Sequence, residues 1–254
     1  MSSKPGPQPA RLPSTAALER PAALFVGNAL WLDFINTRYI VRNRPVDVLR
    51  DFEALVSWLV ESGSLAGHDA QTAMARWNGK AEGAAVLARA LALRDSFRDL
   101  AELLASGAGR AVREEEREGG ETSGTGGALI PASMATAVAA INGIFRENVS
   151  YDELTPVPDH AGTIARFARH ARLMDSTPFR LLASLADSAS ELLCGGGDPS
   201  RVHRCGNPKC VLYFYDTTRN RRRLFCSPEG CGNRVKAAAR YRRSKESGRA
   251  KLSD

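Results

Sequence analysis

Four cysteines near the end of the chain, Cys205, Cys210, Cys226 and Cys231, carry the clearest chemistry in the sequence. They form two C-x4-C pairs with fifteen residues between them. Zinc takes four soft ligands at tetrahedral corners, and structural sites supply them from two short chelating loops. Each pair offers two thiolates from one turn, and the insert between the pairs is long enough to fold back. Disulfides are the other use of paired cysteines. Nothing in the sequence marks a secreted chain, however, and reducing compartments disfavour them. The expected cofactor is Zn2+, with these four thiolates as its ligands.

Local structure must bring the two pairs together. Val211-Leu212-Tyr213-Phe214-Tyr215 is β-branched and aromatic and reads as a strand. Asp216-Thr217-Thr218-Arg219-Asn220 is turn-rich, and Arg223-Leu224-Phe225 is placed to return as a second strand into Cys226. After Cys231, the run Val235-Lys236-Ala237-Ala238-Ala239-Arg240-Tyr241 favours helix. The spacing predicts knuckle, hairpin, knuckle, helix. Cys231 then sits at a helix start, where free N–H groups and the positive end of the dipole offset thiolate charge. A module this small draws most of its stability from the metal.

Charge is concentrated in the same region. Residues 201–254 hold fifteen Lys/Arg and four Asp/Glu, a net of +11, whereas the whole chain is +7, leaving −4 for residues 1–200. Such asymmetry points to a polyanionic partner, most often nucleic acid. Arg219, Arg221, Arg222 and Arg223 cluster at the predicted hairpin tip, and Lys236, Arg240 and Arg243 recur at i, i+4, i+7 on one helical face. Val235, Ala238 and Tyr241 are the predicted inward stripe. Asn233 and Arg234, at the helix start, either brace the knuckle or reach the partner. The expected partner is DNA. The alternatives are RNA, with Tyr213, Phe214, Tyr215 and Tyr241 as stacking surfaces, or a zinc-stabilised protein-interaction module with a solvated basic face.

Cys231-Gly232-Asn233-Arg234 resembles the signature of the CGNR zinc finger, and Phe214-Tyr215-Asp216-Thr217-Thr218-Arg219-Asn220 followed by Cys226 resembles that family's hairpin. Upstream, Gly27-Asn28-Ala29-Leu30-Trp31-Leu32-Asp33-Phe34-Ile35-Asn36-Thr37 resembles the opening of the ABATE domain that precedes this finger. The resemblance implies a transcription regulator that binds DNA through the finger, with the helical domain as sensor or assembly domain. Two departures stand out: Leu224-Phe225 occupies the place of a frequent Arg-Trp pair, and the acidic, glycine-rich insert is long.

The implied fold is mainly α: a helical N-terminal domain followed by a small α+β four-cysteine module of hairpin plus C-terminal helix. Residues 1–20 read as a disordered leader, 21–197 as the helical domain with a flexible insert at 107–127, 198–247 as the finger and 248–254 as a basic tail. Phe52, Leu55, Val56 and Leu59 share one face, ended by Gly63. Leu87, Ala90, Leu93, Phe97, Leu100 and Leu104 form the strongest helical period. Met134, Val138, Ile141 and Phe145 mark a further helix, and 154–167 reads as turns or a short hairpin. A helix from Pro178 ends at Gly195, with Cys194 as a buried free thiol. Gly195-Gly196-Gly197 either caps that helix or permits a bend between the two parts.

Asp33, Asn36 and Thr37 are polar amid Trp31, Leu32, Phe34 and Ile35. They either contact a small-molecule effector in a pocket or cap and brace the first helix. His68, His160, His170 and His203 form no HExxH or Ser-His-Asp arrangement, and neither a P-loop nor a GxGxxG is present. No enzyme is expected. No stretch approaches the eighteen or so apolar residues of a membrane span, so the expectation is a soluble, cytoplasmic protein.

Overall fold

The computed structural model describes residues 22–107, 130–148, 150–159, 162–173 and 177–250. The expected leader, nearly all of the 107–127 insert, His160 and the last four residues lie outside the described residues. The architecture is mainly helical. A short helix α1 (Leu30–Ile35) leads into a hairpin, β1 (Arg38–Val41) and β2 (Arg44–Asp47), paired with Val41 opposite Arg44. Arg42 and Asn43 close it with φ of 49° and 62°. Left-handed backbone at both central residues is what a two-residue hairpin needs to match strand twist.

Helices α2 (Phe52–Glu61) and α3 (Gly67–Trp77) follow. Asp51 starts α2 by accepting a 2.7 Å hydrogen bond from the Ala54 amide, satisfying one of the four free N–H groups of a helix start. The central element is α4 (Ala81–Ala105), which buries Val86, Ala90, Leu93, Phe97, Leu100 and Leu104. The predicted period is therefore the packed face, except that Leu87 is only half-buried. Against α4 lies α5 (Ala132–Glu147), buried through Ala137, Ile141 and Ile144. Sequence reading rotates this helix by about one position: Val138 is exposed, and Met134 and Phe145 are half-buried.

The segment read as turns or a short hairpin is a hairpin longer than expected, the antiparallel pair β3 (Ser150–Pro158) with β4 (Ile164–Leu173). Its prolines sit in a two-stranded ribbon, where no second neighbour needs their missing N–H. The helix from Pro178 is composite: a 3-10 turn Pro178–Leu182, then α6 (Ala183–Glu191), then a π-helical turn Leu192–Gly196. Gly195 ends it at φ 93°, a left-handed stop that glycine adopts without a Cβ clash. Cys194 is exposed there rather than buried.

The finger follows: β5 (Val202–Arg204), β6 (Tyr213–Tyr215), a π-helical turn Pro228–Gly232 and α7 (Asn233–Ala250). The strand at Tyr213–Tyr215 pairs with Val202–Arg204, not with the predicted return at Arg223–Phe225. Leu212, Tyr213, Phe214 and three of the cysteines belong to the same buried cluster as Trp31, Phe34 and Phe97. Among the described residues, helical domain and finger share one core, and the triple glycine ends a helix beside it.

Candidate metal centre and nucleic-acid interface

Each cysteine pair is shaped by one short polar side chain. In the first loop, Asn207 accepts from the Lys209 amide through Oδ1 and from the Cys210 amide through its own carbonyl. Its Nδ2 donates across to Cys231 Sγ at 3.3 Å. In the second, Ser227 Oγ accepts from the Gly230 amide at 3.0 Å and the Ser227 carbonyl from Gly232. The Cys226 amide donates to Cys205 Sγ at 3.4 Å. Both loops thereby aim N–H groups at sulfur, the arrangement that stabilises thiolates.

All four Sγ atoms lie within 4.8 Å of one another. Zinc–sulfur bonds of about 2.3 Å in a tetrahedron require sulfur–sulfur edges of about 3.8 Å, and Cys210 Sγ stands 3.8 Å from Cys226 Sγ. A disulfide would need about 2.05 Å. The donor set fits a divalent metal held by Cys205, Cys210, Cys226 and Cys231. Without a cation the thiols oppose one another: hydrogen bonds from Cys210 and Cys226 push Cys205 down to about 2. The bond with Cys205 conversely pushes Cys210 up to about 12, and Cys226 rises for the same reason. Crowded thiols cannot all ionise without a cation among them.

The finger is tied to the helical domain by backbone-like bonds. Asn36 Nδ2 donates to the Tyr213 carbonyl at 2.8 Å and Asn36 Oδ1 accepts from the Tyr213 amide at 3.0 Å, as a paired strand would. The Tyr215 amide donates to the Gly27 carbonyl at 2.7 Å, and Asn28 Nδ2 to the Tyr215 carbonyl at 3.0 Å. Arg98 donates to the Val211 carbonyl at 2.9 Å, and the Tyr213 hydroxyl donates to Glu102.

The three residues considered for an effector pocket are engaged elsewhere. Asn36 makes the clamp just described. Thr37 donates to the Phe34 carbonyl at 2.7 Å and accepts from Arg94 at 2.9 Å. Asp33 Oδ1 accepts from the Gly27 amide at 2.7 Å. Burial pushes the Asp33 carboxyl up to about 6, against the lowering effects of the Gly27 and Val26 amides and of Arg223. None of the three lines the cavity beside the metal loops or the one against Leu30 and Trp31. They brace α1 and dock the finger.

The basic residues divide. Arg223 turns inward: it donates to the carbonyls of Val26 (2.9 Å), Phe225 (3.0 Å) and Cys226 (2.5 Å) and lies 4.3 Å over the Phe214 ring. Its guanidinium joins the second metal loop to the helical domain and is not presented to a partner. Arg221, at φ 51°, pairs with Asp198 at 3.0 Å. Arg219 and Arg222 are exposed and carry no ion pair among the described residues. The loop holding them is built on buried Asp216, which takes hydrogen bonds from the Thr218 amide and hydroxyl and the Arg223 amide. Burial would raise the Asp216 carboxyl, but those bonds hold it below the usual carboxylate range.

On α7, Arg234, Lys236, Arg240 and Arg243 are all exposed. The predicted inward stripe is not formed. Only Val235 and Ala239 are half-buried among residues 233–244, and Tyr241 is 71% exposed. The helix is rooted on the Pro228–Gly232 turn, and most of its residues 233–244 face solvent; its eighteen residues include seven Lys/Arg and one Glu.

Several residues central to this arrangement escape sequence reading. Arg94 is 2% exposed and binds Asp47 through two bonds of 2.8 and 2.7 Å. Its place between Ala90 and Phe97 on the apolar face of α4 was the available signal, because a charge there needs a partner. Asn28 lies in the stretch that carries the family resemblance but shows no sign of its contact with Tyr215, and Arg98 and Asn207 gave no signal.

Fold and site together define a helical domain with a metal-binding, four-cysteine zinc finger docked on it. A family model described as "Putative stress-induced transcription regulator" (ABATE) matches residues 28–196, and the CGNR zinc finger model matches residues 201–244. The chain belongs to the ABATE family and carries a CGNR zinc finger. No curated protein matches it.

Proposed function

We propose that the chain is a DNA-binding transcription regulator whose finger is held by Zn2+ and whose α7 is the element that meets the duplex. The carrying observation is α7 itself, a strongly basic helix whose residues 233–244 are mostly exposed and whose first turn grows from the metal loop. An isolated helix of this length is marginal in water, so a polyanion both satisfies its charge and orders it. At about 1.5 Å per residue it is about 27 Å long, and a major groove about 12 Å wide admits a helix. Lys236, Arg240 and Arg243 supply one contact face, with Arg219 and Arg222 reaching adjacent phosphates.

RNA recognition by stacking has less support. Tyr213 and Phe214 are buried and the Tyr215 hydroxyl is bonded to the Asp198 amide. Of the four candidate rings only Tyr241 stands in solvent. The family description supports regulation of transcription. The zinc assignment is supported by the thiolate set and its edge length.

Selection of fragmented genomic DNA on zinc-loaded protein, with excess nonspecific competitor, tests the reading. Reproducible enrichment of a few upstream fragments is the expected result. Uniform recovery would contradict a regulator that reads sequence.

A further inference from the structure

A cleft of about 510 Å³ opens between the β1–β2 hairpin and the finger. Leu24, Val26, Val41, Val211 and Leu212 give it an apolar floor, and Cys210, Cys226 and Cys231 stand in its wall. Three cations, Arg42, Lys209 and Arg234, complete the lining, and no acidic side chain does. All three are exposed, and none has an ion-pair partner among the described residues. Ile40 and Val41, which also line it, remain 40% and 47% exposed.

We infer that this cleft binds a compact apolar molecule bearing one carboxylate, its apolar body against Val41, Val211 and Leu212 and its charge among Arg42, Lys209 and Arg234. The volume lies within the range of small-molecule sites, which combine apolar walls with a few placed polar groups. Three cations outweigh the two net negative charges of four thiolates around a divalent ion, so the cleft favours an anion, and a guanidinium binds a carboxylate through paired charge-assisted bonds. The turn conformation at Arg42, φ 49°, holds one cation over the cleft without a long loop. The walls come from both parts of the chain: the hairpin on one side, both metal loops and the second residue of α7 on the other. An occupant therefore bridges the helical domain and the root of the basic helix. The thiolates in the wall also attract these cations, and the experiment separates that role from ligand binding.

The test is calorimetric titration of zinc-loaded full-length protein with decanoate and 2-naphthoate, alongside decanol and 2-naphthylmethanol. At least one acid should bind saturably and at least tenfold more tightly than its alcohol. Arg42→Gln and Lys209→Gln should each weaken that acid about tenfold, the effect of losing one charge-assisted bond, without altering metal content. A Val41→Trp variant, which fills the cleft from an exposed position, should abolish binding while leaving Arg42 and Lys209 in place. Three results would overturn the inference. One is no saturable binding of either acid up to about 1 mM. Another is equal binding of acids and alcohols. The third is charge variants that lose metal but keep acid affinity. DNA binding enters none of these readouts, so the inference stands or fails separately from the proposed function.

Discussion

Arg223→Lys is the perturbation that most sharply separates a structural from a partner-facing cation. The substitution keeps the charge, so a phosphate contact would survive it. It cannot keep the geometry. One guanidinium reaches three carbonyls, of Val26, Phe225 and Cys226, and covers Phe214. An ammonium lacks the planar fork and will hold at most part of that set. A hydrogen bond from a charged group contributes about 1.5–3 kcal/mol and a cation–π contact about 0.5–2 kcal/mol. Arg223 is only half-buried, so water replaces part of what is lost, and the net cost is about 2–3 kcal/mol. At about 2–4 °C per kcal/mol for a chain of this size, the midpoint should fall by about 5–10 °C. Urea and thermal unfolding of zinc-loaded protein would measure it, with Arg222→Lys as the adjacent control expected within about 0.5 kcal/mol. Equal stability of Arg223→Lys and the parent chain would refute the reasoning.

Two further outcomes follow from the same contacts. Asp33 is raised to about 6 in the fold by burial, against an ordinary value near 4 in the unfolded chain. Between those values the folded state binds more protons, so its stability falls as pH rises from about 4 to 6, by at most about 3 kcal/mol. Asp33→Asn keeps an acceptor for the Gly27 amide and should gain on the parent chain across that window in urea titrations. A constant difference between the two at all pH values would contradict it. Cys226→Ser removes one corner of the thiolate set and should drop bound zinc from one equivalent to near zero by mass spectrometry. Hydrogen exchange should rise through 205–232 while α4 stays protected; full retention of metal would exclude the four-thiolate centre.

The parts of this molecule that sequence makes visible are those set by short-range spacing. Two C-x4-C pairs suffice to bring four sulfurs together, because each loop is closed by its own Asn207 or Ser227. The period of α4 shows its face because Ala90, Leu93, Phe97, Leu100 and Leu104 recur at three- and four-residue steps along one side. The partner of a strand is a longer-range matter. Tyr213–Tyr215 turns away from Arg223–Phe225 because Asp216 takes the Arg223 amide into a loop and Asn36, 177 residues upstream of Tyr213, occupies the other edge. Nothing in the local pattern at Asn36 distinguishes a cap from a clamp. Likewise Val235, Ala238 and Tyr241 make a stripe on paper, but the fold puts no surface opposite Ala238 and Tyr241, so they stay in solvent. Cys194 is exposed because Gly195 turns the chain immediately after it.

The most direct test of the DNA-binding account is the salt dependence of duplex binding by zinc-loaded protein. Five cations, Arg219, Arg222, Lys236, Arg240 and Arg243, stand at the surface. Five phosphates neutralised give a slope of log K against log salt of about −4.5, or about 500-fold weaker binding between 50 and 200 mM salt. Fluorescence anisotropy should return that slope, and Arg240→Ala should reduce its magnitude by about 0.9. Absence of binding at low salt, or a slope unchanged in Arg240→Ala, would contradict the assignment of α7 to DNA.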